Sequence, residues 1–251
     1  MAKKKVSKKK TTVPKLIFRD QAGMAREAFV MVFDLEGFSN FFSQPDVQEY
    51  VSRYLNRIFD AVSKNFYGGE YYWCDDKEKD KTLAFFREPS HVKFLGDGAL
   101  YIWAFKRGEL DKYRSEILYF INRCWNLKTC FSKIVERCSE DVPVADIPRR
   151  IRFGFASGSV NKLAYRYSDR TEYIGYCINL AARLQSYCRE LGFIASGRIR
   201  FSNKIITEHH YHKVWAKKLS GFPKEVVIVD KQEYENLSAS TQKELFEEIV
   251  S

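Results

Sequence analysis

Two short apolar runs that each end in aspartate constrain the fold more than any other feature of this chain. They are residues 29–34 (FVMVFD) and residues 92–97 (VKFLGD). Runs of this length and composition are typical of buried strands, so each aspartate is expected at a strand end. Taken singly, Asp34 is an ordinary turn or cap residue and Asp97 an ordinary hairpin-turn residue. Together they predict a site for two Mg²⁺ or Mn²⁺ ions, with the Leu35 carbonyl as a further ligand.

A third segment adds an amide and a guanidinium to this pattern. Asn179 and Arg183 are four residues apart in residues 172–184, hence on one face of a predicted helix. A solvent-facing polar stripe is the structural alternative. In the functional interpretation, Asn179 orients a ribose and Arg183 neutralises charge that develops on phosphate in the transition state. Metal, amide and arginine together indicate chemistry on a nucleoside triphosphate.

The main chain after Asp34 is a predicted phosphate cradle. Gly37 and Phe38 begin a turn whose exposed N–H groups supply fixed donors for a triphosphate without using a side chain. These two residues are therefore predicted to bind substrate.

Most of the net positive charge of the chain lies in its N-terminal residues. The net charge is +10, and seven lysines lie in the first fifteen residues. Residues 1–24 are predicted to be a disordered lysine-rich arm, followed by one domain over residues 25–251. Nucleic acid, an acidic membrane surface and an acidic partner remain open as contacts of the arm, but nucleic-acid binding is not expected to be the domain's function. No apolar run reaches the roughly 18–20 residues that cross a bilayer, so a cytoplasmic protein without a membrane span is expected.

The predicted elements follow the order βαββαβ, which indicates an α+β sandwich of the ferredoxin-like kind, with helices on one face of the sheet. The elements are a strand at 28–34, a helix at 46–64, hairpin arms at 92–95 and 99–105, a helix at 110–138 and a strand at 151–156. Further elements are a second strand near 160–165, a helix from 175 to near 192, a strand at 226–229 and a helix at 241–250. The apolar residues of 67–89 show neither a clear helix period nor a clear strand period.

The three segments resemble the core motifs of the class III nucleotidyl cyclases, the catalytic domains of adenylate and guanylate cyclases. Residues 34–39 (DLEGFS) resemble D-x-x-G-F-S/T, residues 93–97 (KFLGD) resemble K-x-x-G-D, and residues 175–183 (GYCINLAAR) resemble G-x-x-V-N-x-A-x-R. The resemblance spans about residues 28–230. It implies attack of the ribose 3′-hydroxyl on the α-phosphate, which gives a 3′,5′-cyclic nucleotide and pyrophosphate.

The resemblance also implies a homodimer with composite active sites. Asp34 and Asp97 of one subunit would bind the metal ions, and Asn179 and Arg183 of the other would hold ribose and phosphate. A single subunit would then be inactive.

One departure from the family lies near the C-terminus. Ser220-Gly221 stands where the family often has a lysine-glycine pair. The phosphate role of that lysine is left to Lys217, to Lys218 or to no residue.

Two residues are expected to read the base. Lys93 and Glu172 lie where adenylate-type members of the family have a lysine and an aspartate, whereas guanylate-type members have glutamate and cysteine, which argues against GTP. By hydrogen bonding alone, a lysine and a carboxylate fit adenine, cytosine or uracil. The longer arm of Glu172 favours the smaller pyrimidine ring; a surface Glu172 without base contact is the alternative.

The neighbourhood of the third motif resembles a particular group of cyclases. Residues 173–179 and 191–196 are similar to the compact Pycsar pyrimidine cyclases of bacterial anti-phage systems. This resemblance implies cyclic UMP or cyclic CMP as product, UTP before CTP as substrate, and a separate effector activated by the product. An adenylate cyclase, and an inactive cyclase-fold module for binding or dimerisation, are the alternatives.

Overall fold

A strand with apolar side chains on both faces lies inside the sheet, with a neighbour on each side. The computed structural model describes residues 17–20, 23–66, 86–140, 142–208 and 210–249. Within them the strands are β1 (Arg26–Glu36), β2 (His91–Phe94), β3 (Gly98–Phe105), β4 (Arg150–Ala164), β5 (Thr171–Ile174), β6 (Phe193–Ser196), β7 (Tyr211–Ala216), β8 (Glu225–Asp230) and β9 (Phe246–Glu248). The sheet order is β2-β3-β1-β4-β6-β8-β7-β9, and β5 pairs with β4.

Helices cover both faces of this sheet. Those described are α1 (Phe38–Phe42), α2 (Val47–Phe66), α3 (Arg114–Ser139), α4 (Tyr176–Tyr187), α5 (Asn203–Glu208), α6 (Lys231–Glu235) and α7 (Ala239–Leu245). Helices α2 and α3 share one core with Phe29, Met31 and Phe33 of β1, whereas α4 shares the opposite core with Val30 and Val32. A strand covered on both faces reads as a continuous apolar run, which explains the sequence of β1.

The ferredoxin-like prediction is confirmed. Strands β2, β3, β1 and β4 are adjacent in that order, with α2 and α3 on one face. The expectation that the helices lie on one face is wrong, because helix α4 packs on the other face against β1, β4 and β6. None of the described helices has the length and apolar character that a membrane crossing requires.

The prediction of two strands between residues 151 and 165 is wrong. The structure has one continuous strand, β4, and its Ser157-Gly158-Ser159 segment is not a turn. Gly158 lies close to α4, since an added Cβ would be 3.1 Å from Cβ of Cys177. Glu172 lies in β5, a strand that the sequence did not predict.

The C-terminal helix is shorter than predicted. Helix α7 ends at Leu245, and β9 follows it and pairs with β7. Phe246, which pairs with Ala216, is only 2% exposed, so burial of this aromatic side chain favours the strand. Residues 67–89 show no clear helix or strand periodicity in the sequence, and residues 67–85 of this segment lie outside the described residues.

The described part of the predicted arm contacts the end of β4. The Arg19 N–H donates to the Ala164 carbonyl at 2.8 Å, and the Phe18 and Tyr165 ring centroids are 4.9 Å apart. The domain boundary at residue 25 and the disorder of the arm stay predictions.

Gly154 sets how closely α4 approaches the sheet. An added Cβ would lie 2.1 Å from the Ala181 carbonyl oxygen and 2.5 Å from the Gln185 nitrogen. We therefore expect Gly154→Ala to lower the free energy of unfolding by about 1–3 kcal/mol, measured by urea denaturation. Exposed Ser186 on the outer face of α4 provides the control, because Ser186→Ala should stay within about 0.5 kcal/mol of wild type. An unchanged midpoint for Gly154→Ala would contradict the close packing of α4.

Candidate active site

Asp34 and Asp97 lie side by side at one end of the β1–β3 pair. Asp34 is opposite Gly98 in the strand register, and the Leu35 N–H donates to the Asp97 carbonyl at 3.0 Å. Burial, and after it the neighbouring Asp34 carboxylate, raises the pKa of Asp97 above its ordinary value. Two acidic side chains are therefore held close together in the fold, as the two aspartate motifs predicted.

The glycines that flank Asp97 make this approach possible. An added Cβ on Gly98 would lie 1.9 Å from the Phe33 carbonyl oxygen, so no other residue fits without moving the strand. Gly96 has φ of 103°, a left-handed conformation that favours glycine. The Gly-Asp-Gly sequence is thus a requirement of the tight turn that brings Asp97 to Asp34.

Arg152 is a site residue that the sequence motifs did not indicate. Its Nη2 donates to Oδ2 of Asp34 at 2.6 Å, and Arg152 lies opposite Asp34 in the β1–β4 register. Its Nε is buried and has no hydrogen-bond partner among the described residues. The signal in the sequence was an arginine inside a predicted buried strand, where a charge requires a partner.

The residues present fit a divalent metal. Two facing carboxylates with one raised pKa form an unfavourable arrangement that a divalent cation relieves. Within the described ranges no group of three or more His, Cys, Asp or Glu residues could hold a metal ion. Mg²⁺ commonly binds through one or two carboxylates and completes its shell with water and substrate phosphates, which matches this pair. The metal roles of Asp34, Asp97 and the Leu35 carbonyl stay predictions.

The predicted phosphate turn lies directly after β1. Gly37 has φ of 88°, and its carbonyl accepts from the Phe41 N–H at 3.1 Å as α1 begins. The Phe38 ring packs on the rings of Phe41 and Phe42, with centroids 5.6 and 6.0 Å away. These contacts fix the turn beside Asp34; phosphate binding by Gly37 and Phe38 stays a prediction.

Lys93 and Glu172, which are 79 residues apart in sequence, meet in the structure. Nζ of Lys93 lies 3.4 Å from each carboxylate oxygen of Glu172. His91 joins them, with Nε2 3.6 Å from Oε2 of Glu172. The fold therefore brings together the two residues predicted to read the base, and it adds a histidine that the sequence did not indicate.

Asn179 and Arg183 face outward from α4. Both are exposed, and neither side chain makes a hydrogen bond or an ion pair within the described part of the chain. The structure thus confirms that they share a helix, but it does not join them to the Asp34–Asp97 pair within one subunit.

The two lysines considered for the terminal phosphates are engaged elsewhere. Nζ of Lys217 donates to the Lys243 carbonyl at 2.7 Å, and Nζ of Lys218 lies 3.1 Å from Glu244. Both contacts hold these side chains at the C-terminal segment.

A cavity of about 360 Å³ lies away from all these residues. It is lined by residues of the opposite end of β1, among them Glu27 and Phe29, and by Arg114 and Arg198. None of the predicted site residues lines it.

Comparison with solved structures identifies the fold as that of class III adenylyl and guanylyl cyclase catalytic domains. The guanylyl cyclase Cya2 has a TM-score of 0.56 at 15% identity, covering 84% of this chain and 93% of that one. The adenylyl cyclase CyaB from P. aeruginosa has a TM-score of 0.55 at 16% identity, covering 83% and 96%. The guanylate cyclase domain of RhGC from Catenaria anguillulae, in complex with GTP, has a TM-score of 0.51 at 14% identity, covering 82% and 97%.

These similarities show the fold, which confirms the predicted fold class. No protein-family model and no curated protein matches the chain.

Because the pKa of Asp97 is raised, Asp97→Asn should change the melting temperature in two ways, one without metal and one with metal. Asp97→Asn removes one of two facing charges, so the metal-free variant should melt a few degrees above wild type. Mn²⁺ should raise the Tm of wild type and not of the variant, because the second carboxylate ligand is gone. Differential scanning fluorimetry with and without Mn²⁺ measures both effects. Exposed Asp169 supplies the control, since Asp169→Asn should keep the wild-type response; a lower Tm of metal-free Asp97→Asn would contradict the charge repulsion.

Proposed function

We propose that the chain is a metal-dependent nucleotidyl cyclase that converts a pyrimidine nucleoside triphosphate, UTP before CTP, to the 3′,5′-cyclic nucleotide and pyrophosphate. The observation that carries this proposal is the contact of Asp34 with Asp97 beside Arg152, on a cyclase fold. Asp34 and Asp97 would hold two divalent ions, which would supply Lewis-acid activation of the ribose 3′-hydroxyl and of the triphosphate.

The residues of the chain then have separate roles. Arg152 pairs with Asp34, and a cation held by that carboxylate would leave the Arg152 guanidinium to pair with a substrate phosphate. Asn179 orients the ribose, and Arg183 stabilises the charge on the phosphorus centre. A bond forms between the 3′-oxygen and the α-phosphorus, the bond from that phosphorus to the leaving pyrophosphate breaks, and the hydroxyl proton passes to water.

The active enzyme is a homodimer in this proposal. The outward-facing Asn179 and Arg183 need a second copy to meet the Asp34–Asp97 pair. Large apolar side chains near both groups support such an interface: Phe94 at the β2–β3 hairpin is 58% exposed, and Ile174 just before α4 is 52% exposed. Exposed apolar side chains of this size are typical of interaction surfaces.

The contact between Lys93 and Glu172 supports base recognition by this pair. One donor and one acceptor at a single place match the edge of a pyrimidine, and the extra methylene of Glu172 favours the smaller ring. Adenine satisfies the same pair of groups, so ATP is the competing substrate. We further propose, from the resemblance to Pycsar cyclases, that the product is a second messenger of bacterial anti-phage immunity that activates a separate effector.

Product analysis tests this function directly. Purified protein is incubated with Mn²⁺ and each of ATP, GTP, CTP and UTP, and products are identified by mass spectrometry. Cyclic UMP is expected as the main product, and Asp34→Asn should abolish turnover because the remaining carboxylate cannot hold the metal ions. Arg183→Ala should lower kcat by about 10²–10³, while the exposed Arg189→Ala should not change it. Cyclic AMP would contradict the pyrimidine assignment, and no product from any nucleotide would favour the inactive module.

Mixing two inactive variants tests the composite site. Asp34→Asn and Arg183→Ala each disable both sites of their own homodimer. A heterodimer of the two has one site with both defects and one intact site, so an equal, fully exchanged mixture should recover about one quarter of wild-type activity. No recovery after subunit exchange has been verified would contradict the composite site.

A further inference from the structure

His91 has a buried ring nitrogen that faces one polar group. Its Nε2 is buried and lacks a hydrogen-bond partner among the described residues, and it points toward Oε2 of Glu172 at 3.6 Å. An imidazole nitrogen that is closed off from water and makes no hydrogen bond is costly, so its place beside a carboxylate requires an explanation.

The fold holds the His91 ring in this position. His91 and Lys93 are two residues apart on β2, hence on the same face of that strand, and Glu172 reaches them from β5. The His91 ring also contacts the Tyr173 ring, with centroids 5.6 Å apart. The exposed fraction rises from 18% for the His91 side chain to 27% for Glu172 and 50% for Lys93, so His91 is the innermost of the three.

The pairing of Lys93 with Glu172 is loose enough to be exchanged. Both of its distances are 3.4 Å, whereas a well-formed charge-assisted hydrogen bond is about 2.7–2.9 Å. If these two residues read the base, each must turn from the other to the nucleotide. Glu172 then loses the lysine that balances its charge in the free protein, and His91 is the basic group that remains in contact with it.

We propose that His91 is a positioning residue for base selection, which acts by holding Glu172; this inference rests on the proposed function. With Oε2 turned toward His91, Oε1 is the oxygen left to accept a hydrogen bond from the base. Glu172 is thereby fixed in one orientation as the hydrogen-bond acceptor for the base, while Lys93 is free to donate a hydrogen bond to the base. Without His91 the carboxylate rotates, and bases that place their donor differently compete better.

Substitution of His91 tests this role. His91→Phe keeps an aromatic ring against Tyr173 and removes the nitrogen, so the ratio of kcat/KM for the preferred nucleotide to that for the others should fall about tenfold. His91→Gln, which retains an N–H donor of similar reach, should keep most of the selectivity. In a Glu172→Gln background His91→Phe should have no further effect, because the charge that it holds is gone.

His212 supplies a matched control for a merely structural role. Its Nε2 lies 3.1 Å from Glu248, and its ring centroid is 4.8 Å from that of Tyr234. It is on β7, near the opposite end of the strand order from β2. His212→Phe should therefore leave the nucleotide selectivity unchanged. Equal loss of selectivity in His91→Phe and His212→Phe would overturn the proposal.

An NMR measurement separates this inference from the proposed function. Glu172→Gln should shift the ring ¹⁵N resonances of His91 and leave those of His212 in place, whether or not the protein turns over nucleotide. Unshifted His91 resonances, or unchanged kcat/KM ratios in an active His91→Phe enzyme, would overturn the positioning role alone. If the wild-type protein forms no cyclic product, the proposed function fails, and the positioning role of His91 in base selection fails with it.

Discussion

The pairing of β1 with β3 on one side and β4 on the other is the constraint on which the candidate site depends. One register places Asp34 opposite Gly98, next to Asp97, and the other places Asp34 opposite Arg152. A slip of one residue in β1 would move Asp34 to the face of α2 and α3 and expose its apolar neighbours to the wrong core. The same apolar packing that determines the fold therefore also determines the relative positions of the two carboxylates and the arginine.

The cost of this arrangement explains why its parts occur together. Burial, and after it the facing Asp34 carboxylate, raise the pKa of Asp97, so the ionised pair destabilises the folded chain. Arg152 offsets part of this repulsion through its ion pair with Asp34. Replacing one of the two carboxylates with a neutral side chain would stabilise the fold, so stability alone does not explain why both are present. The retained repulsion is typical of a functional site, where stability is lost for binding.

The sequence predicted what short-range patterns determine. Residues 29–34 and 92–97 gave strands and a tight turn because apolar runs and Gly-Asp-Gly act locally, and the helices of the ferredoxin-like unit followed from their periodicity. Arg152 and His91 were missed, because their roles depend on strand register and on β5, which pairs with β4 only after the chain has turned back. The prediction divided β4 in two because Ser157-Gly158-Ser159 has the composition of a turn, whereas in the structure Gly158 lies within the strand and close to Cys177 on α4.

The proposed recognition of the base by Lys93 and Glu172 bears on specificity. Lys93 and Glu172 contact each other in the single chain, so a nucleotide that is read by both residues must replace this contact. A base with a donor and an acceptor in the right places restores both interactions, whereas a base that offers only one leaves a charged group without a partner. Under this proposal, discrimination comes from the group that the wrong base leaves unpaired, and a Glu172 held by His91 makes that penalty larger.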